Sequence, residues 1–327
     1  MGKKRVLLIG AGQLGSRHLQ GLTKVGIPLS VSIVEPHPTG NEVSRTRLNE
    51  VLPGYSMEDF RFYSSLKEIE KGRFALAIIA TNSDVRQLVV NELLELTDVE
   101  NILLEKVVFQ SPDLFPEIMN KLTEKKIKAW VNCPRRLFPV YQEIRELIKN
   151  DPHLSMSVTG GEWGMACNSL HFIDLFVFLT GISALTVEAS DLDAEILHSK
   201  REGFIEVTGR LIFGNNKGSL KVESVRKSAS ALSIKIISDN YEIAVNETLK
   251  EWSVSGKGNI GRIEKMPFIM PFQSELTGQV TDRILAGKEP GLVSIEDSFL
   301  QHAVLLPAVM NHLTNVNGED YTYCPIT

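Results

Sequence analysis

The spacing of hydrophobic residues changes once along this chain, near residue 132, and the change divides it in two. Before that point, short apolar runs alternate with helical stripes. Residues 6–9 (Val-Leu-Leu-Ile) run into Gly10, and Leu14, His18, Leu19 and Leu22 follow at helical spacing. Residues 29–34 form a second apolar run, ended by Glu35. A polar helical stretch covers 41–51, a weak strand covers 60–63, and Ser64 and Ser65 open a short capped helix to Glu68. Residues 74–80 are continuously apolar between Gly72 and Thr81-Asn82, the pattern of a parallel strand buried on both faces. Ser83 is expected to cap the next helix, with Val85, Leu88, Val89 and Leu93 as its buried stripe. Residues 101–104 form another buried strand that delivers Glu105 and Lys106 at its carboxyl end. Pro112 opens a helix to Leu122, and 128–131 is a further strand. Such alternation predicts a doubly wound parallel sheet with its ligand across the strand ends.

After Asn132 and a helix over 138–149, strand patterns follow one another: 154–163, 185–194, 204–213, 218–225, 232–238 and 241–245. Leu220 and Val222 alternate with Lys221 and Glu223, as in a sheet with one buried face. Residues 214–218 and Asp239-Asn240 have hairpin-turn composition. Helices are expected over 168–179, 272–286 and 294–313, the last kinked by Pro307. The second half therefore reads as α+β with a large, mostly antiparallel open sheet. The domains are expected at 1–133 and 134–327. An apolar face on so large a sheet would be covered by a second subunit, which predicts a homodimer or homotetramer through the C-terminal sheet.

Composition narrows the classes. The 327 residues suffice for two domains, and 43% hydrophobic with 23% charged residues is ordinary for a globular protein. A net charge of −5 argues against nucleic acid or an anionic membrane surface as partner. No apolar stretch approaches the roughly 18–20 residues of a membrane span. The basic residues 1–5 lead into a strand and glycines, not the apolar core of a signal peptide. Three scattered cysteines imply no disulfide framework, and a cytoplasmic setting is expected.

The candidate chemistry begins at Gly10-Ala11-Gly12-Gln13-Leu14-Gly15. Gly10 permits the sharp turn off the strand, Gly12 lets backbone approach a pyrophosphate, and Gly15 lets the helix pack tightly on the strand. The helix that follows presents N–H groups and its positive dipole end to phosphates. Glu35 ends the second strand about twenty residues on, where a carboxylate binds ribose hydroxyls and repels a 2′-phosphate; this favours NAD over NADP. Thr81 and Asn82, at another strand end, are expected to line the cofactor groove.

Three separated motifs together resemble the glucose–fructose oxidoreductase / inositol dehydrogenase / rhizopine catabolism (Gfo/Idh/MocA) family. Residues 10–18 are similar to its G-x-G-x-x-G-x-x-H, Glu105-Lys106-Val107 to its E-K-P, and His171 to Gly181 to its H-x-x-D-x-x-x-x-L-x-G helix. The resemblance covers nearly the whole chain. It implies a Rossmann domain followed by an α+β domain, and an NAD(P)-dependent oxidoreductase acting on a CH–OH group of a sugar, cyclitol or nucleotide-linked sugar. It implies Lys106 and His171 as the catalytic pair, with Gly10, Gly12, Gln13, Leu14, Gly15, Glu35, Thr81, Asn82, Glu105 and Lys106 around the cofactor.

Two positions depart from the pattern. Val107 replaces the family's cis proline, and a cis bond before valine costs about 2.5–4 kcal/mol, so a trans bond is expected. Cys167 and Asn168 stand where many members carry an aspartate four residues before the histidine, so an aspartate–histidine dyad is absent. Lys106 can stabilise charge developing on the reacting oxygen, and the imidazole of His171, with an ordinary pKa of about 6.5, can move the proton. Asn168 offers donor and acceptor to a sugar hydroxyl, and Arg135 or Arg136 a fork to a substrate anion. Asp174, one turn from His171, orients the imidazole or caps backbone. Trp163 and Phe172 face a sugar ring or fill core. Cys167 and His171 alone are too few for a metal site. His18 is expected to pack locally, facing away from the chemistry. Two other functions compete: a redox-assisted glycoside hydrolase or lyase, and a dinucleotide-binding sensor whose catalytic apparatus has decayed.

Overall fold

The computed structural model describes residues 2–257 and 262–327, and the chain forms two units. In the first unit β1 (Lys4–Ile9) leads to α1 (Gly15–Leu22), β2 (Leu29–Val34), α2 (Pro38–Val51) and β3 (Phe60–Tyr63). The short β4 (Arg73–Phe74) and β6 (Asp98–Val99) flank β5 (Leu76–Ile79) and α3 (Ser83–Leu96). Then come β7 (Asn101–Leu104), α4 (Phe115–Glu124) and β8 (Lys128–Val131). Strands β8-β7-β5-β1-β2-β3 pair in that order and all in parallel. The order reverses on either side of β1, which makes the end of β1 the switch point where such sheets bind ligands. Val6, Leu7, Leu8 and Leu76 to Ile79 are fully sequestered, as expected of strands covered on both faces.

Helix α3 differs from the sequence expectation. Val85 is 42% and Leu88 66% exposed, while Ser83, Arg86, Val90, Leu93 and Leu94 face inward. The buried arginine rotates the helix away from the stripe its apolar residues suggest. Asn82, not Ser83, occupies the N-cap position, without a side-chain cap.

The second unit opens with α5 (Pro139–Ile148), β9 (Leu154–Gly160) and α6 (Met165–Thr180), followed by β10 (Thr186–Leu192) and the two-residue β11 (Leu197–His198) and β12 (Ile205–Glu206). It continues with β13 (Gly209–Asn215), β14 (Gly218–Ser224), β15 (Ser233–Ser238), β16 (Tyr241–Asn246), β17 (Glu251–Gly256) and β18 (Arg262–Pro267). Eight strands form one sheet, β10-β13-β14-β9-β15-β16-β17-β18, antiparallel except for β14 with β9. Met156, Val158, Leu220, Val222, Ile234 and Ile236 face inward, and α6 packs against β9 and β14. Ser155, Ser157, Thr159, Ser219, Lys221, Glu223 and Lys235 alternate with them on the other face. That outward face is mostly polar, with Ile212 and Ile237 among its half-buried residues, so the argument from an apolar face to a covering subunit has little to rest on in this sheet.

The chain then returns. Helix α7 (Gln273–Leu285) and β19 (Val293–Ser294) belong to the first unit, where β19 pairs antiparallel with β8 and α7 packs on α1. Helix α8 (Ile295–Asn317) runs through Pro307 and lies almost wholly in the second unit. The division differs from 1–133 and 134–327 in that residues 271–295 join the first unit, while residues 110–112 and Cys133 join the second. Close helix contact explains the return: a Cβ on Gly21 of α1 would sit 2.5 Å from Thr277 Cβ, and one on Gly278 would sit 3.1 Å from the Gly21 carbonyl oxygen. No helix among the described residues is long and apolar enough to cross a membrane.

Candidate functional site

The glycine turn sits at the switch point of the parallel sheet. Gly10 has φ +82°, and a Cβ there would lie 2.8 Å from Thr81 N. A Cβ on Gly15 would lie 1.8 Å from the Gly10 carbonyl oxygen, so only glycine lets α1 start this close to β1. A Cβ on Gly12 would meet nothing within 4 Å: its bare face opens outward, a cradle that a side chain would fill. Glu35 is buried and fixes the loop from below, with Oε2 accepting from Ala11 N–H at 2.7 Å and Oε1 from His37 N–H at 3.0 Å. Arg47 of α2 clasps it from the side. Its guanidinium donates to the Gln13 carbonyl at 2.7 Å, to Gln13 Oε1 at 2.6 Å and to Ser16 Oγ at 2.7 Å. Arg47 was not apparent from the sequence.

The Leu14 carbonyl accepts from Arg17 and His18, opening α1. Beside Glu35 lies a cleft of about 550 Å³ lined by Pro36, Asn41, Arg45 and Ser64, with the Arg45 guanidinium 3.9 Å above the Phe62 ring. Thr81 Oγ1 is buried and meets no partner among the described residues. Asn82 is exposed at the start of α3. An open glycine, a buried carboxylate at the second strand and an orphan hydroxyl fit a dinucleotide along this edge.

The Glu105–Lys106 segment leaves β7 one strand beyond β5. Glu105 is only 4% exposed. Its Oε1 receives His18 Nε2 at 2.8 Å and Asn132 Nδ2 at 2.6 Å. Glu105 is thus held from within the first unit by α1 and by the end of the neighbouring strand β8. His18, completely buried, faces this carboxylate. Burial opposes the charged carboxylate. Hydrogen bonding from His18, its charge, the Asn132 amide and Arg86 nonetheless hold Glu105 below the usual carboxylate range. Lys106 itself is half-buried. The Lys106–Val107 peptide is cis, correcting the trans expectation. Arg86, 1% exposed on α3, donates to the carbonyls of Val107, Val108 and Thr81 and so fastens the turn in place of proline's ring.

In the second unit, α6 carries the other candidates. It starts after Gly164, at φ +74°, and Ala166 N–H donates to Glu206 at 2.8 Å. Glu206 comes from β12, so a carboxylate does stand at this helix end although the sequence offers none beside Cys167. The Cys167 thiol points to the Gly164 carbonyl at 3.7 Å, and Asn168 Nδ2 donates to the Trp163 carbonyl at 3.1 Å. His171 is half-buried one turn further along. Trp163 and Phe172 pack edge to face at 5.5 Å.

The arginines are engaged within the unit. Arg135 grips Glu247 at 2.9 and 2.7 Å and lies 4.4 Å over Phe172, while Tyr141 donates to the same carboxylate at 2.7 Å. The fork expected to reach a substrate anion is therefore filled by Glu247. Arg136 grips the fully buried Asp174, which also accepts from Gln301 at 3.0 Å. Asp174 thus anchors Arg136 and does not hold His171. No group of three or more possible metal ligands occurs among the described residues.

A parallel sheet ending in a three-glycine turn, with a second unit built on a large open sheet, is a fold that this chain shares with solved dehydrogenases and with a transcriptional regulator. Among solved structures the chain is similar to UDP-N-acetylglucosamine 3-dehydrogenase GnnA from Acidithiobacillus ferrooxidans, with TM-score 0.69, 14% identity, and 94% of this chain and 97% of that one covered. An oxidoreductase from Agrobacterium radiobacter, solved with NAD+, L-tartaric acid and magnesium, gives TM-score 0.69 and 14% identity over 97% of this chain and 98% of that one. The super-repressor mutant of Gal80p from Saccharomyces cerevisiae gives TM-score 0.69 and 14% identity over 96% and 97%. At these identities the likeness is one of fold. No family model and no curated protein matches the chain.

Proposed function

We propose that this protein is an NAD-dependent oxidoreductase that transfers a hydride between nicotinamide and a secondary alcohol or ketone of a sugar, cyclitol or nucleotide-linked sugar. The observation that carries the reading is the open Gly12 above the Glu35-braced turn, at the switch point of a parallel sheet. The structural neighbour solved with NAD+ supports it. Gly10, Gly12, Gln13, Leu14 and Gly15 would cradle the pyrophosphate, Glu35 would meet the adenosine ribose, and Thr81 and Asn82 would flank the nicotinamide half. The bound dinucleotide supplies the hydride acceptor. Lys106 donates a hydrogen bond to the reacting oxygen and stabilises charge there. His171 takes or returns the proton at that oxygen, and Asn168 orients a neighbouring hydroxyl. A cytoplasmic setting belongs to the same reading. Assembly as a homodimer or homotetramer through the second sheet would rest on polar contacts, which light scattering would read.

Calorimetry with NAD+, then NADH formation on a panel of glucose, myo-inositol and UDP-N-acetylglucosamine, tests the proposal. Lys106→Ala and His171→Ala are expected to abolish turnover while keeping NAD+ affinity. Full activity in both variants removes these residues from the mechanism. A second reading, a cofactor-binding regulator, is favoured by Cys167 and Asn168 at the aspartate position and by the fold shared with the transcriptional regulator Gal80p from Kluyveromyces lactis. NAD+ binding without turnover on any substrate would select it.

A further inference from the structure

The carboxylate of Glu105 belongs to a closed ring of hydrogen bonds. His18 Nε2 meets Glu105 Oε1 at 2.8 Å, and Asn132 Nδ2 donates to the same oxygen at 2.6 Å and to Gln273 Oε1 at 3.0 Å. Gln273 Nε2 donates to Thr277 Oγ1 at 3.1 Å, and Thr277 Oγ1 closes the ring at His18 Nδ1 over 2.9 Å. Its members come from α1, the ends of β7 and β8, and α7. His18 and Thr277 are completely buried. The Gly21–Thr277 approach brings the α7 hydroxyl to the α1 imidazole.

We infer that His18 and Thr277 are positioning residues for Lys106, acting through Glu105. The ring ties the helix that follows the dinucleotide turn to the strand end that bears the lysine, so Lys106 is set relative to the nicotinamide by contacts made beneath it. A buried polar ring in which each member satisfies its neighbour holds a single geometry, because any shift leaves a polar group unpaired at a cost of about 1–3 kcal/mol. The Thr277 hydroxyl serves either protonation state of His18, since it can donate to Nδ1 or accept from it while turning its own hydrogen to the Gln273 carbonyl 2.8 Å away. This inference rests on the catalytic reading of Lys106 for its functional meaning, although the ring itself does not.

The test compares Thr277→Val, which removes the hydroxyl at nearly constant volume, with Thr277→Ser, which keeps it. Reductive 13C-methylation gives each lysine an NMR signal, and the signal lost in Lys106→Arg identifies Lys106. In Thr277→Val the Lys106 signal is expected to move while the other lysines and the NAD+ affinity stay. On the panel substrate kcat should fall about tenfold with KM for NAD+ unchanged, the cost of misplacing a reacting group. Thr277→Ser should restore both. If Thr277→Val fails to fold, Thr277→Ala, which removes the same hydroxyl, carries the same expectation. An unmoved Lys106 signal and unchanged kcat in a folded Thr277→Val, or failure of serine to rescue, overturns the inference. A moved signal alongside full turnover of Lys106→Ala keeps the positioning role and instead refutes the catalytic reading of Lys106.

Discussion

Gly12→Ala separates binding from folding at the glycine turn. The added methyl meets no atom within 4 Å, and the residue lies outside the left-handed region, so the fold has no steric reason to resist. Loss of glycine's unfolded-state freedom should stabilise the chain by about 0.4–1 kcal/mol. The same methyl occupies the space where the backbone would approach a pyrophosphate. Losing two charge-assisted N–H contacts at about 1.5 kcal/mol each removes about 3 kcal/mol, or roughly a hundredfold in Kd. At NAD+ equal to about 100 times the wild-type Kd, ligand stabilisation is about 2.7 kcal/mol; for the variant it falls to about 0.4 kcal/mol. Thermal unfolding with and without NAD+, alongside calorimetry, reads both quantities. Gly15→Ala is the contrast, because its methyl would sit 1.8 Å from the Gly10 carbonyl oxygen and must part α1 from the turn. A Gly12→Ala protein that binds NAD+ like the wild type, or that loses stability without ligand, refutes this account of the turn.

Three further outcomes are expected. Glu35→Ser should weaken NAD+ by freeing Ala11 and His37 N–H groups and relieve repulsion of a 2′-phosphate, so the ratio of NADP+ to NAD+ Kd should drop at least about tenfold; an unchanged ratio in calorimetry removes Glu35 from cofactor selection. Arg135→Met should cost about 3–5 kcal/mol in urea unfolding, because it strands Glu247 with only Tyr141; a small stability change paired with a raised substrate KM would return Arg135 to the substrate site. Glu105 sits below the ordinary carboxylate range in the folded chain, so the stability it contributes is complete above about pH 4.3 and is lost as pH falls through its lower folded value. Acidification should therefore lower the Tm of the wild type more than that of Glu105→Gln, and equal losses would contradict a depressed Glu105 carboxyl.

The backbone plan was legible where one physical signal dominated. Strands β2 and β3 fall on the residues their apolar runs mark, and a sheet with one buried face follows from the alternation in β14. Strands β17 and β18 passed unrecognised, because Trp252 and Val254 alternate with serines that give little contrast. The α3 stripe misled because an arginine took the inward position, bonded to the carbonyl of Thr81 just before the helix and to those of Val107 and Val108 beyond β7. The same limit hid the His18–Glu105 pair. Those residues stand 87 positions apart, and no spacing rule joins a helix to a strand end; only the parallel order β7-β5-β1 does. Glu206 at the head of α6 and Glu247 under Arg135 escaped for the same reason.

The first unit finishes late. Its sheet lacks β19, and His18 lacks Thr277, until residues 271–295 have been synthesised, after the whole sheet of the second unit. A ribosome would thus release most of the first unit with one flank of β8 bare and α1 uncovered, a template for wrong pairing. Truncation near residue 132, which looks like a clean domain cut, should yield a sticky fragment, whereas a chain rejoining 1–132 to 271–295 should remain dispersed.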